Sequence, residues 1–414
     1  MVTQRELILY LGLIFVNTVG GNSNAWGTIS PYITSYFHKL DPSITSSDLL
    51  LVPVFAFIAE DTCCLLISFL SLYLRPFLFI ALGLIIACPT MFLVSYSTNP
   101  IIFSIFFGIS LGLLSCCCAI PSIWISWSVL PQAKGTSVGI VLASYSMAPF
   151  LYGSLFTLFV NPNEEQALSE INSTDTYFSA EVTDNVPFAI RIFSFVLLVS
   201  GIIGCALLNC NDIESSAPQN TKTITVKEFI TNSSTWQLFF MTYINVIGFF
   251  YLINVYKDIS MKRIQDDYFL AVVGALSFVL IAIGRFVFGS LMDKYSWKKI
   301  VLSSLVTQIA GLVFMDFALE NKYVFAIVFF ICSFSGSAML GGSMVIIERT
   351  YPEDRWTLGY ILLSLILTIF TIYGIRKIIT PNFGEFFSFL TVAGFLVIGV
   401  LMVINYKIRG KKDL

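Results

Sequence analysis

The chain is built largely from apolar runs that are long enough to cross a lipid bilayer. A membrane-spanning helix needs about 20 consecutive, mostly apolar residues, and windows of that length follow one another along the whole sequence. We predict twelve such helices, at residues 7–37, 49–72, 77–96, 101–130, 135–160, 187–208, 236–256, 269–291, 300–319, 323–347, 356–375 and 386–406. The expected fold class is therefore an all-α membrane protein with twelve transmembrane helices.

Composition excludes several other classes of protein. Hydrophobic residues make up 57% of the sequence and charged residues only 12%, whereas a soluble domain carries about 25% charged residues. The net charge of −2 gives no basic excess for a nucleic-acid partner. The nine cysteines match no metal-ligand spacing, so we expect neither a metal nor a cofactor. His38 is the only histidine, and without a nucleotide loop or nucleophile motif we expect no enzyme.

Cys116, Cys117 and Cys118 are consecutive and form the densest group of thiols. Successive helical residues point about 100° apart, so these three side chains cannot converge on one ion. We interpret them as packing residues, because a thiol in an apolar run behaves as a small hydrophobe.

Lysine and arginine residues are unevenly divided between alternate loops. Cytoplasmic loops of membrane proteins are enriched in both residues. With the N-terminus inside, fourteen of them fall on the cytoplasmic side and seven on the opposite side. We therefore predict an integral multi-pass protein of the plasma membrane or an organelle membrane, with both termini cytoplasmic.

A polar segment divides the predicted spans six and six. We predict an N-terminal six-helix bundle at residues 1–208, a cytoplasmic linker at 209–235 and a C-terminal six-helix bundle at 236–414. An offset of 221 residues places Asn24 and Gly27 on Asn245 and Gly248, which weakly supports duplication. Two parallel six-helix halves are a known transporter plan, with the solute site between them near the bilayer midplane. The acidic outer loop contains the sequon at Asn172, a glycosylation candidate if the protein follows a secretory route.

One arginine, Arg285, lies inside the predicted eighth span. A charge at the centre of a span costs about 2.5–3.5 kcal/mol on insertion scales, so such a residue marks a substrate or ion pathway by default. The alternative is structural, because Arg285 precedes Asp293 by about 12 Å of helix and a long side chain can snorkel toward the cytoplasm or join ion pairs there. We keep both interpretations and place the pathway role first.

Two adjacent carboxylates, Glu60 and Asp61, lie midway through the predicted second span. A carboxylate buried away from water tends to stay protonated or to find a cation, which is what a proton carrier needs. Both residues are therefore proton-coupling candidates. A structural pair facing the pore is the alternative.

The loop after the eighth span carries a motif. Residues 289–299 read Gly-Ser-Leu-Met-Asp-Lys-Tyr-Ser-Trp-Lys-Lys, which resembles the Gly-x-Leu-x-Asp-Arg-x-Gly-Arg-Arg signature of the major facilitator superfamily. The resemblance implies the major facilitator fold, with twelve transmembrane helices in two six-helix bundles. It also implies a gate in which a small residue lets helices approach and an acidic residue pairs with basic residues and a helix end. The implied gate residues are Gly289, Asp293, Lys294, Lys298 and Lys299. In the first half the equivalent loop, around Arg75, lacks the acidic residue and the glycine.

Within that superfamily, Gly284-Arg285 and the Trp…Pro…Lys-Gly…Gly pattern at residues 127–139 resemble the monocarboxylate transporters and oxalate/formate exchangers. In that family an arginine at this place in the eighth helix binds the substrate carboxylate, and the resemblance implies the same role for Arg285. The places of that family's first-helix lysine and of its acidic residue before the arginine hold Pro31 and Gly274. The core of the eleventh span has no second cation, so a monocarboxylate is a more natural substrate than a dianion.

We therefore expect a secondary active transporter that moves a small organic anion by alternating access and works as a monomer in the lipid bilayer. Polar residues on the predicted cavity helices are further candidates for substrate contact: Asn24, Tyr32, Tyr145, Tyr243, Asn245 and Tyr360. Two alternatives share the fold. One is a transporter of an uncharged or zwitterionic solute such as a sugar or an amino acid, and the other is a non-transporting membrane sensor or assembly subunit.

Overall fold

The computed structural model describes residues 4–45, 48–71, 73–165, 168–169, 176–209, 231–264, 266–351 and 364–406. Regular structure in these ranges is helical, apart from one short antiparallel pair formed by β1 (Leu168–Ser169) and β2 (Thr176–Tyr177). Leu168 lies opposite Tyr177 in this pair. The expectation of an almost purely helical chain is confirmed for the described residues.

Within the described ranges, eight helices precede the polar central segment. They are α1 (Gln4–Gly20), α2 (Trp26–Leu40), α3 (Leu51–Leu70), α4 (Pro76–Val94), α5 (Pro100–Val129), α6 (Lys134–Ala148), α7 (Ser154–Val160) and α8 (Ala180–Asn209). A 3₁₀ turn at Gly21–Ala25 joins α1 to α2, and another at Asp48–Leu50 leads into α3. A π-helical turn at Pro149–Gly153 joins α6 to α7, where the proline lacks the backbone N–H that a regular helix needs.

In the described residues after the central segment there are seven helices. They are α9 (Ser233–Met261), α10 (Asp267–Lys294), α11 (Trp297–Ala318), α12 (Lys322–Thr350), α13 (Ser364–Gly374), α14 (Thr380–Phe383) and α15 (Glu385–Asn405). A second π-helical turn, Ile375–Ile379, joins α13 to α14. Such turns are rare and occur frequently at functional sites.

Helical segments correspond to every predicted span. Eleven of those in the described residues are long and apolar enough to cross a membrane. The predicted span at residues 7–37 corresponds to α1 and α2, which are each shorter because the 3₁₀ turn at Gly21–Ala25 separates them. Exposed leucine, isoleucine and phenylalanine side chains cover many helix faces, as a chain surrounded by lipid requires.

The eleventh span extends further than the sequence indicated. We expected it to end near residue 375, with Arg376 and Lys377 in an outer loop, but helical structure continues to Phe383. Both charges are accommodated because Arg376 donates to Glu385 at 3.1 Å and Lys377 donates to the Tyr373 hydroxyl at 3.0 Å. The expected start of this span lies outside the described residues.

Contacts divide the chain into two compact units. The first comprises Met1–Ile67, Tyr73–Ile125 and Ser144–Ser215, and the second comprises Ser68–Leu72, Ser126–Ala143 and Ser216–Leu414. Helix α6 therefore contributes to both units, since its residues up to Ala143 belong to the second and those from Ser144 to the first. Large side chains fill each interior: Phe103, Phe107, Phe156 and Phe193 in the first unit, and Trp297, Phe325, Phe329 and Phe389 in the second.

Candidate functional site

A group of hydroxyls surrounds Glu60 in the first unit. Ser115 donates its hydroxyl to Glu60 Oε1 at 2.6 Å. The Tyr145 hydroxyl lies 2.7 Å from the Ser115 hydroxyl and donates to the same carboxylate oxygen at 3.4 Å. The Ser23 hydroxyl lies 3.2 Å from the Tyr145 hydroxyl. These four residues, which we call the Glu60 network, link the 3₁₀ turn, α3, α5 and α6 through one carboxylate.

Close packing of α3 on α5 positions the Glu60 network. A Cβ atom added to Gly108 would lie 2.5 Å from the carbonyl oxygen of Val52, and one added to Gly112 would lie 2.8 Å from the backbone nitrogen of Glu60. Glycine spacing of this kind lets helix backbones approach closely. Ser115 follows Gly112 by three residues and therefore shares the helix face that meets Glu60.

The 3₁₀ turn brings Ser23 to the Glu60 network. A Cβ atom on Gly21 would collide with the carbonyl oxygen of Tyr145, so glycine at this position lets the turn lie directly on α6. Asn24 lies beside Ser23 in the same turn and its side chain is exposed. The sequence singled out Asn24, Tyr145 and Glu60 but not Ser23 or Ser115, because a serine in an apolar run gives no signal of its own.

Asp61, the second coupling candidate, is 3% exposed. Its Oδ2 atom has no hydrogen-bond partner in the part of the chain that the structure describes. The adjacent Glu60, by contrast, receives the hydroxyls of the Glu60 network. Since neighbouring helical residues point about 100° apart, the two carboxylates lie in different surroundings. A carboxylate oxygen that is buried without a partner is costly, and a proton or a cation would relieve that cost.

Tyr32 belongs to an aromatic cluster. Its ring stacks on Phe178 with centroids 4.6 Å apart and lies 6.3 Å from the ring of Phe156. Tyr32 on α2 therefore packs against α7 and against the segment that leads into α8.

Arg285 is buried in the second unit. Its side chain on α10 is 7% exposed, and its Nη1 atom donates to the carbonyl oxygen of Leu142 on α6 at 2.9 Å. Leu142 lies about 12 Å along α6 from the first residue of that helix. The guanidinium group therefore points toward the middle of α6 and not toward the protein surface.

Three glycines form a seam between α6 and α10. A Cβ atom on Gly139 would lie 2.7 Å from the carbonyl oxygen of Arg285, and one on Gly289 would collide with the carbonyl oxygen of Gly135. The backbones of the two helices are thus in direct contact. This contact brings the Leu142 carbonyl within reach of Arg285.

Asp293 caps the start of α6 at the end of this seam. Its carboxylate accepts the backbone N–H groups of Gly135 at 2.8 Å and Thr136 at 2.7 Å, together with the Thr136 hydroxyl at 2.7 Å. An acidic side chain at a helix N-terminus satisfies free N–H groups and complements the helix dipole. Of the other predicted gate residues, Lys294 and Lys299 are exposed, and Lys298 lies 5.9 Å from the centre of the Trp297 ring.

An ion pair that the sequence did not indicate lies next to this cap. Lys134, the first residue of α6, binds the buried carboxylate of Glu348 on α12. Arg349 donates to the carbonyl oxygen of Met292 at 2.7 Å and so ties α12 to α10. The only sequence signal for these contacts is the presence of opposite charges at the ends of apolar runs.

Tyr243 and Asn245 lie on α9. The Tyr243 hydroxyl is 2.6 Å from the Thr371 hydroxyl of α13. Asn245 is 2% exposed, its Oδ1 atom has no partner among the described residues, and it packs against Gly399 of α15. The candidates Tyr360 and Asn172 lie outside the described residues.

The described part of the chain contains no group of three or more histidine, cysteine, aspartate or glutamate side chains that could hold a metal ion. The three consecutive cysteines face different helices: Cys116 meets Cys64 of α3, Cys117 packs on Gly83 of α4, and Cys118 packs on Gly20 of α1. This divergence is the angular offset expected of successive helical residues.

Comparison with solved structures establishes the fold. The chain is similar to a major facilitator superfamily transporter, FucP, in the outward conformation, with a TM-score of 0.75 and 13% identity over 96% of this chain and 98% of that one. It is also similar to the proton:xylose symporter XylE bound to 6-bromo-6-deoxy-D-glucose, with a TM-score of 0.73 and 10% identity over 98% of this chain and 97% of that one. A variant of the E. coli fucose:proton symporter FucP matches with a TM-score of 0.69 and 14% identity over 96% of this chain and 98% of that one.

The predicted major facilitator fold is thereby confirmed. No protein-family model and no curated protein sequence matches the chain. The resemblance to the monocarboxylate transporters and oxalate/formate exchangers stays a prediction.

Proposed function

We propose that the protein is a secondary active transporter that moves a small organic anion, a monocarboxylate, across its membrane by alternating access. The major facilitator fold supports transport as the general activity, since the solved proteins of the same fold are described as transporters. The observation that carries the choice of substrate is the buried guanidinium of Arg285, 7% exposed in a membrane-spanning helix.

A buried guanidinium suits a carboxylate substrate. Arginine presents several donors in a planar fork that matches a carboxylate, and charge-assisted hydrogen bonds of this kind are about twice as strong as neutral ones. A substrate that brings one negative charge would neutralise one cation. A dianion would bring a second charge that needs a second cation, so a monocarboxylate is the simpler fit.

The direction of the Arg285 side chain argues against the snorkelling alternative. A snorkelling arginine extends along its helix toward the membrane surface. Arg285 instead reaches Leu142, two helical turns inside α6, whereas Asp293 meets Gly135 and Thr136 at the start of that helix. This direction supports a role for Arg285 within the span.

Alternating access gives the α6–α10 seam a role as a gate. The cap on α6 by Asp293 and the pair between Lys134 and Glu348 hold the first turn of α6 against α10 and α12. We expect these contacts to break when the gate opens. Polar contacts at a helix end suit this task, because water can satisfy the released groups.

A second candidate function is proton-coupled transport of an uncharged solute such as a sugar. The Glu60 network favours it, since a carboxylate that accepts hydrogen bonds from Ser115 and Tyr145 is suited to bind a proton next to hydroxyl groups. The proteins of similar fold are described as symporters of protons with fucose or xylose. At 10–14% identity this likeness concerns the fold and does not assign the substrate.

Uptake by purified protein in liposomes tests both candidates. Labelled monocarboxylates, dicarboxylates, amino acids and sugars are supplied one at a time, with and without an inward proton gradient, and empty liposomes are the control. We expect saturable uptake of a monocarboxylate that other monocarboxylates inhibit and that its uncharged amide analogue does not. Uptake of a sugar that ignores carboxylates would favour the second candidate. No uptake of any solute would favour a non-transporting sensor or subunit.

A further inference from the structure

Two buried thiols from different helices meet beside the Glu60 network. The sulfur atoms of Cys64 on α3 and Cys116 on α5 lie 3.0 Å apart, and the two residues are 5% and 1% exposed. Cys64 follows Glu60 by one helical turn, and Cys116 directly follows Ser115, which donates to Glu60. Neither the transport proposal nor the packing interpretation of the cysteine triplet uses this pair.

The α3–α5 seam explains why these two thiols meet. Glycines 108 and 112 of α5 lie against the α3 backbone near Val52, Ala56 and Glu60. Cys116 lies one turn beyond Gly112 on α5, and Cys64 lies one turn beyond Glu60 on α3. The two cysteines therefore lie on the helix faces that pack together. Because the glycines bring the backbones into contact, short side chains such as cysteine can touch at the next turn.

We propose that Cys64 and Cys116 are a site of reversible oxidation, in which a membrane-permeant hydroperoxide converts the two thiols to a disulfide that fixes α3 to α5. A disulfide bond is about 2.05 Å long, so the sulfur atoms need to approach by only about 1 Å. Opposed thiols on two packed helices can make this approach by small side-chain rotations. The site requires no partner and no bound metal.

The chemistry balances in two steps. The sulfur of Cys64 attacks one hydroperoxide oxygen, the O–O bond breaks, and the departing alkoxide takes the thiol proton and leaves as an alcohol. The sulfur of Cys116 then attacks the sulfenic sulfur of Cys64, the S–O bond breaks, and hydroxide leaves with the Cys116 proton as water. The two thiols lose two electrons in total, and the hydroperoxide gains them. Buried thiols react slowly in the first step, whereas the second step is intramolecular and fast.

The consequence for activity rests on the proposed function. A bond between Cys64 and Cys116 holds the two helices that carry Glu60 and Ser115 in one arrangement. We expect uptake to fall in the oxidised protein, because the hydrogen bonds of the Glu60 network can then no longer rearrange during transport. Reduction of the disulfide restores uptake.

Peptide mapping tests the site without any transport assay. Liposomes that contain the wild-type protein are treated with tert-butyl hydroperoxide, free thiols are blocked with a maleimide, and the digest is analysed by mass spectrometry. We expect one linked pair of peptides that carry Cys64 and Cys116, about 2 Da lighter than their sum, which dithiothreitol separates. The variants Cys64→Ala and Cys116→Ala lose the linked pair. The matched neighbours Cys63→Ala and Cys117→Ala keep it.

Two results would overturn the proposal. One is hydroperoxide-treated wild-type protein in which both thiols still react with maleimide or carry only sulfinic acid. The other is linkage through Cys63 or Cys117 in equal yield, which would indicate random cross-linking. Cys64→Ser provides a second variant if Cys64→Ala does not fold, as judged by size-exclusion chromatography. If the linked pair formed but uptake did not change, only the expected inhibition of transport by the disulfide would be refuted. If the untreated protein showed no uptake, only the transport proposal would be refuted.

Discussion

Arg285 donates a hydrogen bond from Nη1 to the backbone carbonyl oxygen of Leu142 at 2.9 Å. This bond joins α10 to α6 in the same seam that Asp293 caps at its end. One donor of the guanidinium group that we propose for carboxylate binding is therefore engaged with the helix backbone in this conformation. If the seam opens during transport, Nη1 is released, and we expect the affinity for the anion to differ between the two states.

Substitution of Arg285 tests its role directly. We expect Arg285→Ala to lower monocarboxylate uptake by about tenfold or more, because a hydrogen bond to a charged group contributes about 1.5–3 kcal/mol. Arg285→Lys should retain part of the activity, since lysine keeps the positive charge but lacks the planar set of donors that matches a carboxylate. Initial uptake rates are compared at equal amounts of protein in the membrane.

Arg191→Ala is the matched control for this experiment. Arg191 is a second arginine within a span, but it donates to the Tyr96 hydroxyl at 3.1 Å and to the Pro187 carbonyl oxygen at 3.1 Å, in the first half of α8. We expect this variant to transport normally. Full uptake by Arg285→Ala would remove Arg285 from the substrate site.

Glu60→Gln tests proton coupling. The amide keeps the shape of the carboxyl group and its hydrogen bonds with Ser115 and Tyr145 but cannot exchange a proton. We expect uptake by this variant to lose its response to a proton gradient while exchange of substrate across the membrane continues. The measurement is uptake at several outside pH values with the inside pH held constant.

Asp61→Asn is the companion to that test, because Asp61 is the adjacent carboxylate and lies outside the Glu60 network. If Glu60 carries the proton, Asp61→Asn should keep the gradient response. A response that survives in Glu60→Gln and disappears in Asp61→Asn would transfer the role to Asp61. A response that survives in both single variants would end the coupling hypothesis.

The contact between α6 and α10 predicts opposite outcomes for two glycine substitutions. Gly289→Ala places a Cβ atom against the Gly135 carbonyl oxygen, and overpacking of this kind costs about 1–3 kcal/mol. Gly394→Ala on α15 meets no atom within 4 Å, so it should be neutral or stabilising by about 0.5–1 kcal/mol through helix propensity. Thermal unfolding of the purified proteins in detergent measures both. Equal melting temperatures for the two variants would contradict the close approach at Gly289.

Most of the helices could be predicted from the sequence, because the thickness of the bilayer sets the length of each apolar run. All twelve predicted spans overlap helices, and the largest visible error is at Arg376 and Lys377, where Glu385 and Tyr373 allow the helix to continue through two charges. Such compensation depends on residues from another helix or another turn. A hydropathy window cannot include them.

The candidate site was less accessible from the sequence. Arg285, Glu60 and Asp293 could be singled out because a charge in or beside an apolar run is conspicuous. Their partners could not, since Leu142 acts through its backbone, Ser115 is one of many serines, and Glu348 lies far from Lys134 along the chain. The glycine spacing at Gly108 and Gly112 indicated that another helix approaches α5 closely. It could not identify that helix as α3 or bring Ser115 to Glu60.

The cap on α6 provides the last prediction. Asp293→Ala removes the acceptor of two backbone N–H groups and of the Thr136 hydroxyl. Loss of such a cap costs about 0.5–2 kcal/mol of helix stability, and here it also frees the end of the α6–α10 seam. We expect a lower melting temperature in detergent and faster modification of a cysteine introduced by Thr136→Cys, because the first turn of α6 is less firmly held. Lys294→Ala, at an exposed neighbouring position in the last turn of α10, should change stability by no more than about 0.5 kcal/mol. If Asp293→Ala matched Lys294→Ala in both measurements, the cap would not hold the seam closed.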